Sequence, residues 1–397
     1  MEQKTKSGFS LYINSNENFQ NAMFVRERKK KYRIGLAIGL AVVWICCFFA
    51  YRYRTYYELK VVKSIAKDLT ESFQSFAYKN GTICYSEDGI SFLDEDGDEQ
   101  WNRTYSFESP IASYCGDYIV VASKNGNEAV LLDDTGQMKK FSASYPIVDV
   151  EVAKQGVVAL NLQGDNGNYI ELYEAAKKKL VSIKVTSKQN GYPMDIDLSS
   201  DGETLAVSYL VVDGINTKSR IVFYNFGEEG EEKEDQLIGG FDFKDTVIPK
   251  IHFMGDSAVA AIGDNKLILF KVGSSPSKKK EIPLNKTVKS VAVTDQHIGL
   301  VFDNQNKSAE DKYEARVYSK SGRKVMSKDF SSEYNKLLLN DGEMILAGNY
   351  HCSILNFAGH EMFQKDFKKR ILNISPTGKS RRYLFSYEDS TELAKLQ

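Results

Sequence analysis

The stretch GISFLDEDGDEQWNRTY, Gly89 to Tyr105, reads as a strand, a tight turn and a second strand. Apolar and polar residues alternate before the turn, as they do in a strand that buries one face. Gly97 stands where a tight hairpin needs a positive φ without a Cβ penalty. The central DEDGDE, Asp94 to Glu99, spaces its carboxylates like a calcium loop but lacks the downstream bidentate glutamate, so a hairpin turn is expected there.

The shape returns in AVLLDDTGQMKKF, ARVYSKSGRKVMSKDF and CSILNFAGHEMFQKDF, which superpose on the first copy through Gly136, Gly322 and Gly359. Upstream of the hairpins runs a second recurring pair, seen in IASYCGDYIVVAS, MDIDLSSDGETLAVSYL and KLLLNDGEMILAG: a short strand, a polar turn and a strongly apolar strand. Near-continuous apolar runs such as Tyr118 to Ala122 call for burial on both faces, which makes the second strand a central one. The joined pairs form a four-strand unit of about 40 residues, the signature of an all-β fold of the β-propeller type. First strands are expected near residues 73, 109, 145, 191, 246, 287, 332 and 371. That counts eight blades, with seven as the alternative; the short last unit is expected to take its outer strand from the N-terminal side. A pair of sandwiches would show a composition break, and a β-helix shorter rungs.

Ahead of the repeats lies IGLAIGLAVVWICCFFA, Ile34 to Ala50, an uncharged run long enough to cross a hydrocarbon core of about 30 Å. RERKKKYR, Arg26 to Arg33, precedes it with six basic residues and one acidic, and only Arg52 and Arg54 follow closely. The positive-inside rule then expects a cytoplasmic tail at residues 1–33, a helix in the lipid bilayer at residues 34–51, and the rest outside the cytoplasmic membrane. Bulky Phe48, Phe49 and Tyr51 at the end of the run, and Trp44 and Ile45 before Cys46, argue for an uncleaved anchor over a signal peptide or lipoprotein box. The first 25 residues carry no periodicity and are expected to be disordered. Gly35 and Gly39 form a GxxxG step, a packing face for a second copy and hence for a homodimer. Leu59, Val62, Ala66, Leu69, Phe73 and Phe76 alternate spacings of three and four. Residues 52–72 are therefore expected as a short helical stalk or linker, and residues 73–397 as the propeller.

Chemistry is sparse. With 52 basic against 53 acidic residues and a net charge of −1, nothing calls for nucleic acid. Cys46 and Cys47 lie in the apolar run, and Cys84, Cys115 and Cys352 have neither a disulfide framework nor metal spacing; Cys84 and Cys115 read as buried strand thiols, with pairing as the alternative. His252, His297, His351 and His360 are spread over three units, so no metal is expected. There is no phosphate-cradling glycine loop and no Gly-x-Ser-x-Gly elbow. Carboxylates gathered from separate blades are the catalytic arrangement that a run of repeats leaves open. The charged stretches at residues 226–236, 273–280 and 304–312 are expected as solvated hairpin loops.

TICYSEDGISFLDEDGDEQWNRTY, Thr82 to Tyr105, resembles the repeat of the quinoprotein-type propellers, with PQQ-like and WD40-like grammar: strand, DG, strand, D-x-x-G, then a strand bearing Trp101. The other copies carry Lys139, Met326 and Phe363 in that region. With its single anchor the chain resembles the uncharacterised single-pass membrane-anchored propeller family of Gram-positive bacteria. Quinoprotein dehydrogenases would imply a quinone, a calcium ion and an aromatic platform. This chain has one Trp and no vicinal cysteines beyond the apolar run, so no cofactor is expected. Assembly propellers with similar repeats imply a scaffold. The expected function is a non-catalytic interaction scaffold or sensor that binds an envelope protein, peptide or wall polymer. The alternative is a glycan-binding or glycan-cleaving propeller with carboxylates on its axis.

Overall fold

The computed structural model describes residues 30–50, 52–65, 73–175, 178–186, 190–214, 216–244, 246–304, 312–340 and 342–397. The chain divides into two units, Met1–Thr55 and Tyr56–Gln397. In the first unit Lys30–Ala50 is one helix, long and apolar enough to cross a membrane. A side chain at Gly35 or Gly39 would meet no described atom within 4 Å, so both glycines lie open on the helix surface.

The second unit holds eight four-stranded antiparallel sheets among the described residues. It is an eight-bladed propeller. First strands are Gln74–Tyr78, Pro110–Cys115, Ile147–Val152, Tyr192–Leu198, Lys250–Phe253, Val288–Val293, Lys336–Asn340 and Ile371–Pro376, each at or just after the position the repeat predicts. First strands of several adjacent blades approach one another, as in blades 2 and 3, 3 and 4, and 8 and 1, which sets these strands around the axis. Second strands are buried on both faces as expected: Ile119, Val120, Val121 and Ala122 are each wholly inaccessible. The cores lie between blades, so that Val120, Ala122, Ala129 and Leu131 of blade 2 pack on Val150, Val158, Leu160 and Leu162 of blade 3.

The helical stalk is overturned over its described part. Leu59–Ile65 is a strand, antiparallel to Thr391–Leu396 with Leu59 opposite Leu396 and Ile65 opposite Thr391. It is the fourth strand of blade 8, the closure that the short last unit called for. Over seven residues, spacings of three and four do not exclude an extended strand, and the open edge of Thr391–Leu396 decides between them. Ala66 and Leu69 lie outside the described residues. Ser277–Pro283 is likewise the fourth strand of blade 5, so only the start of the 273–280 stretch is turn. Phe226 to Gln236 does link strands, but it carries a one-turn helix, Glu228–Glu231, and a 3-10 turn, Glu234–Gln236. Residues 305–311 of the third charged stretch lie outside the described residues, as do residues 1–29 of the N-terminal tail, while residues 30–33 begin the helix. Cys84, Cys115 and Cys352 are free thiols.

The acidic turn of Asp94 to Glu99 joins the two ends of the ring. Asp94 Oδ1 accepts the N–H groups of Asp96 and Asp98 at 2.9 Å each, a self-bonded acidic turn. Blade 8 reaches it with three cations: Lys63 donates to the Gly97 carbonyl at 3.0 Å and pairs with Asp98, Lys379 meets Glu95 at 2.9 Å, and Arg382 pairs with Asp96. Gly97, Gly136, Gly322 and Gly359 have φ of 74°, 75°, 73° and 80°. At three of them a basic side chain from the preceding blade donates to the glycine carbonyl: Lys63 to Gly97, Arg103 to Gly136 at 2.6 Å and Lys280 to Gly322 at 2.8 Å.

Candidate functional site

In each blade the first strand pairs on one side only, which leaves an edge whose N–H and C=O groups need partners. Side chains supply several of them from the neighbouring blade. In blades 3, 4, 6 and 8 a register shift in the first strand falls between Ile147 and Asp149, Pro193 and Asp195, Val288 and Ser290, and Ile371 and Asn373. A bulge re-aims the side chain beside it, and the residue after each shift reaches the next blade. Asp149 accepts from the Ile196 N–H. Asp195 Oδ2 accepts from the Ile251 N–H at 2.7 Å, Ser290 receives the Tyr334 hydroxyl at 2.9 Å, and Asn373 Nδ2 donates to Ser75 Oγ at 2.9 Å.

Blades 3 to 5 carry the charged part of this ring. Alternation in IVDVEV and MDIDL sets Asp149 with Glu151 and Asp195 with Asp197, each pair two residues apart and so on one face of its strand. Blade 5 answers with Lys250 and His252. Lys250 Nζ lies 2.9 Å from Asp195 Oδ1, His252 Nδ1 lies 3.0 Å from Asp197 Oδ2, and that same oxygen accepts the Phe253 N–H at 2.6 Å. On the far side Ser113 of blade 2 donates to Glu151 Oε2 at 2.5 Å.

Burial governs how these groups ionise. It pushes Asp195 up to about 7, against the pull of Lys250 and with the push of Asp149. Glu151 is raised well above the usual range by burial and by the charges of Asp197 and Asp149, and Asp149 is raised by burial. Burial disfavours the charge on Lys250 and His252, but neighbouring carboxylates outweigh it and hold both groups above their ordinary values. Further round the axis, burial lowers Lys336 to about 8; its ammonium donates to Asn373 Oδ1. Removing the Asp195 carboxylate would strand the Ile251 N–H and take from Lys250 the carboxylate it is hydrogen-bonded to. Asp195→Ala is expected to lower unfolding free energy by about 3 kcal/mol in a urea titration, and Asp195→Asn, which keeps an acceptor, by clearly less.

The singled-out glycines do not meet at this site: Gly97, Gly136, Gly322 and Gly359 sit in separate outer turns. Of the four histidines only His252 belongs to the cluster, and no grouping of three or more His, Cys, Asp or Glu suited to a metal occurs among the described residues. The sequence reading did not single out Asp149, Glu151, Asp195, Asp197 or Lys250. Their signal is legible in retrospect: acids at i and i+2 in first strands whose other residues are mostly apolar.

Several solved structures are similar in fold. The computationally designed Ika8 protein is similar, with a TM-score of 0.55 and 12% identity over 85% of this chain and 100% of that one. Hydrazine synthase of Kuenenia stuttgartiensis aligns at 0.47 with 9% identity, over 84% and 97% of the two chains. Streptogramin B lyase aligns at 0.46 with 12% identity, over 85% and 98%. Identities this low concern the fold alone. No curated protein matches the chain. One family model spans residues 52–396, from before the closing strand to the end of the last blade, and by it the chain belongs to the family described as "Family of unknown function (DUF5711)".

Proposed function

We propose that the protein is a single-pass membrane protein, N-terminus inside and propeller outside the cytoplasmic membrane, that serves as a protein-interaction scaffold or sensor without catalysis. One observation carries this reading. In the axial cluster, Asp195 and Asp197 are already engaged by Lys250, His252 and the Ile251 and Phe253 N–H groups, so the acids tie blades together and binding is left to the turn-bearing rims. The basic run before the apolar helix supports the orientation. A second reading, a glycan-binding or glycan-cleaving propeller, draws on the meeting of four carboxylates from blades 3 and 4, of which Glu151 accepts a hydrogen bond from the Ser113 hydroxyl.

Gly273 offers a handle, because a side chain there meets open space. In a background with Cys46, Cys47 and Cys115 replaced, a membrane-impermeant maleimide is expected to label Gly273→Cys in intact cells and to leave Ser7→Cys untouched until the cells are opened. The reverse pattern would sink the orientation. A photocrosslinker on the same cysteine is expected to recover one envelope protein, or a few, reproducibly. Recovery of wall polymer alone would transfer the assignment to the glycan reading.

A further inference from the structure

We propose that the axial seam joining blades 3, 4 and 5 is a proton-operated latch, closed when Asp149, Glu151, Asp195 and His252 hold protons and loosened when they release them. The geometry concentrates charge where the inner strands meet. Asp195 and Asp197 meet Lys250 and His252 on the adjacent first strand and bond its free N–H edge as well, while Asp149 and Glu151 one strand further lie within electrostatic reach of Lys250. With every acid ionised and His252 neutral, four negative charges are matched only by Lys250, and repulsion works against the seam. Protonating an acid removes part of that repulsion, and protonating His252 adds an attraction to Asp197 at 3.0 Å.

Other groups border the seam. Blade 2 presents Ser113, Tyr114 and Cys115, with burial holding the Tyr114 phenol and the Cys115 thiol above their ordinary values, so neither releases a proton near neutrality. The turn after the first strand of blade 3 brings Lys154 toward Cys115, the corresponding turn of blade 5 brings Asp256, and blade 6 brings Asp295 toward Tyr114 and His252. Asp149, Glu151, Asp195 and His252 are all shifted upward, so at the seam the folded chain binds more protons than the unfolded one across neutral pH. Stability therefore rises as pH falls through this window, and is lost as pH rises through about 7 for Asp195. Four groups outside the seam bear on the same pH range or border it. Burial lowers His297, and Lys336 to about 8, and both act in the opposite sense, while Asp242 and Glu314, held down to about 2, titrate below the window.

The test uses the full chain in a neutral detergent. Its melting midpoint is expected to rise by about 3 °C between about pH 8 and about pH 5.5, and the slope to shrink by at least about half in Asp195→Asn and in Glu151→Gln. His297 and Lys336 contribute equally to all three proteins, so their difference isolates the seam. Amide exchange gives a local readout that does not need a variant to fold. After correction for intrinsic rates, protection at Ile251 and Phe253 is expected to fall about 10-fold more between about pH 6 and about pH 8 than in Glu343–Ala347 of blade 7. Equal loss of protection in the two blades overturns the latch, as does a variant that folds and keeps the full slope.

Discussion

A fragment beginning at residue 66 is expected to melt about 10 °C below one beginning at residue 52, although both contain every strand from Gln74 onward. The difference is the closing strand. Removing it takes away the ladder from Leu59 to Ile65 against Thr391–Leu396 and uncovers the core that Tyr56, 4% exposed, shares with Phe363, Tyr383, Ala394 and Leu396. A buried aromatic contributes about 2–3 kcal/mol and each net ladder hydrogen bond about 1 kcal/mol, so a loss of about 5–8 kcal/mol follows. A unit of roughly 340 residues loses about 1 °C for each 0.7 kcal/mol. The exposed pair of Lys63 with Asp98 adds little. Thermal melts of the two fragments decide the matter, and midpoints within about 2 °C of each other would contradict the assignment of this strand to blade 8.

Gly136→Ala is expected to be the most damaging conservative change in the outer turns, at about 3 kcal/mol in a denaturant titration. Two causes add there. The φ of 75° is strained for any residue with a Cβ, and that Cβ would lie 2.7 Å from the Trp101 ring. Trp101 cannot simply withdraw, because its indole N–H donates to the Asp134 carbonyl at 3.0 Å while Arg103 holds the Gly136 carbonyl. Gly214→Ala separates the two terms: its φ is 61° but nothing stands within 4 Å, so only the backbone strain of about 1 kcal/mol remains. Equal losses for the two variants would mean that the Trp101 contact is not a rigid one. The recurring architecture of the hairpin thus has a second use in this copy, since the turn glycine is also the surface on which the preceding blade docks.

Much of the architecture was legible along the chain because each blade is a local object. Alternation, turn glycines and apolar second strands recur within about 40 residues, and antiparallel neighbours joined by short turns pair with little choice. Trp101 could be picked out as unusual in its repeat, but not that its partner would be the turn of the next blade. The acids at 149, 151, 195 and 197 were visible as letters and silent as a site. A carboxylate on an alternating strand reads the same whether it faces solvent or a neighbouring blade.

By itself the sequence determined the repeat, the first-strand positions, the buried second strands and a helix over the apolar run that begins at Ile34, all of which follow from patterns no longer than one blade. The tertiary structure decided what depends on contacts across the ring. It turned Leu59–Ile65 from a helical candidate into a strand, because an open edge more than 300 residues away offered unpaired hydrogen-bonding groups. It likewise made one polar seam of Asp195, Lys250, Asp197 and His252, because first strands far apart in the chain become neighbours only when the blades close around their axis.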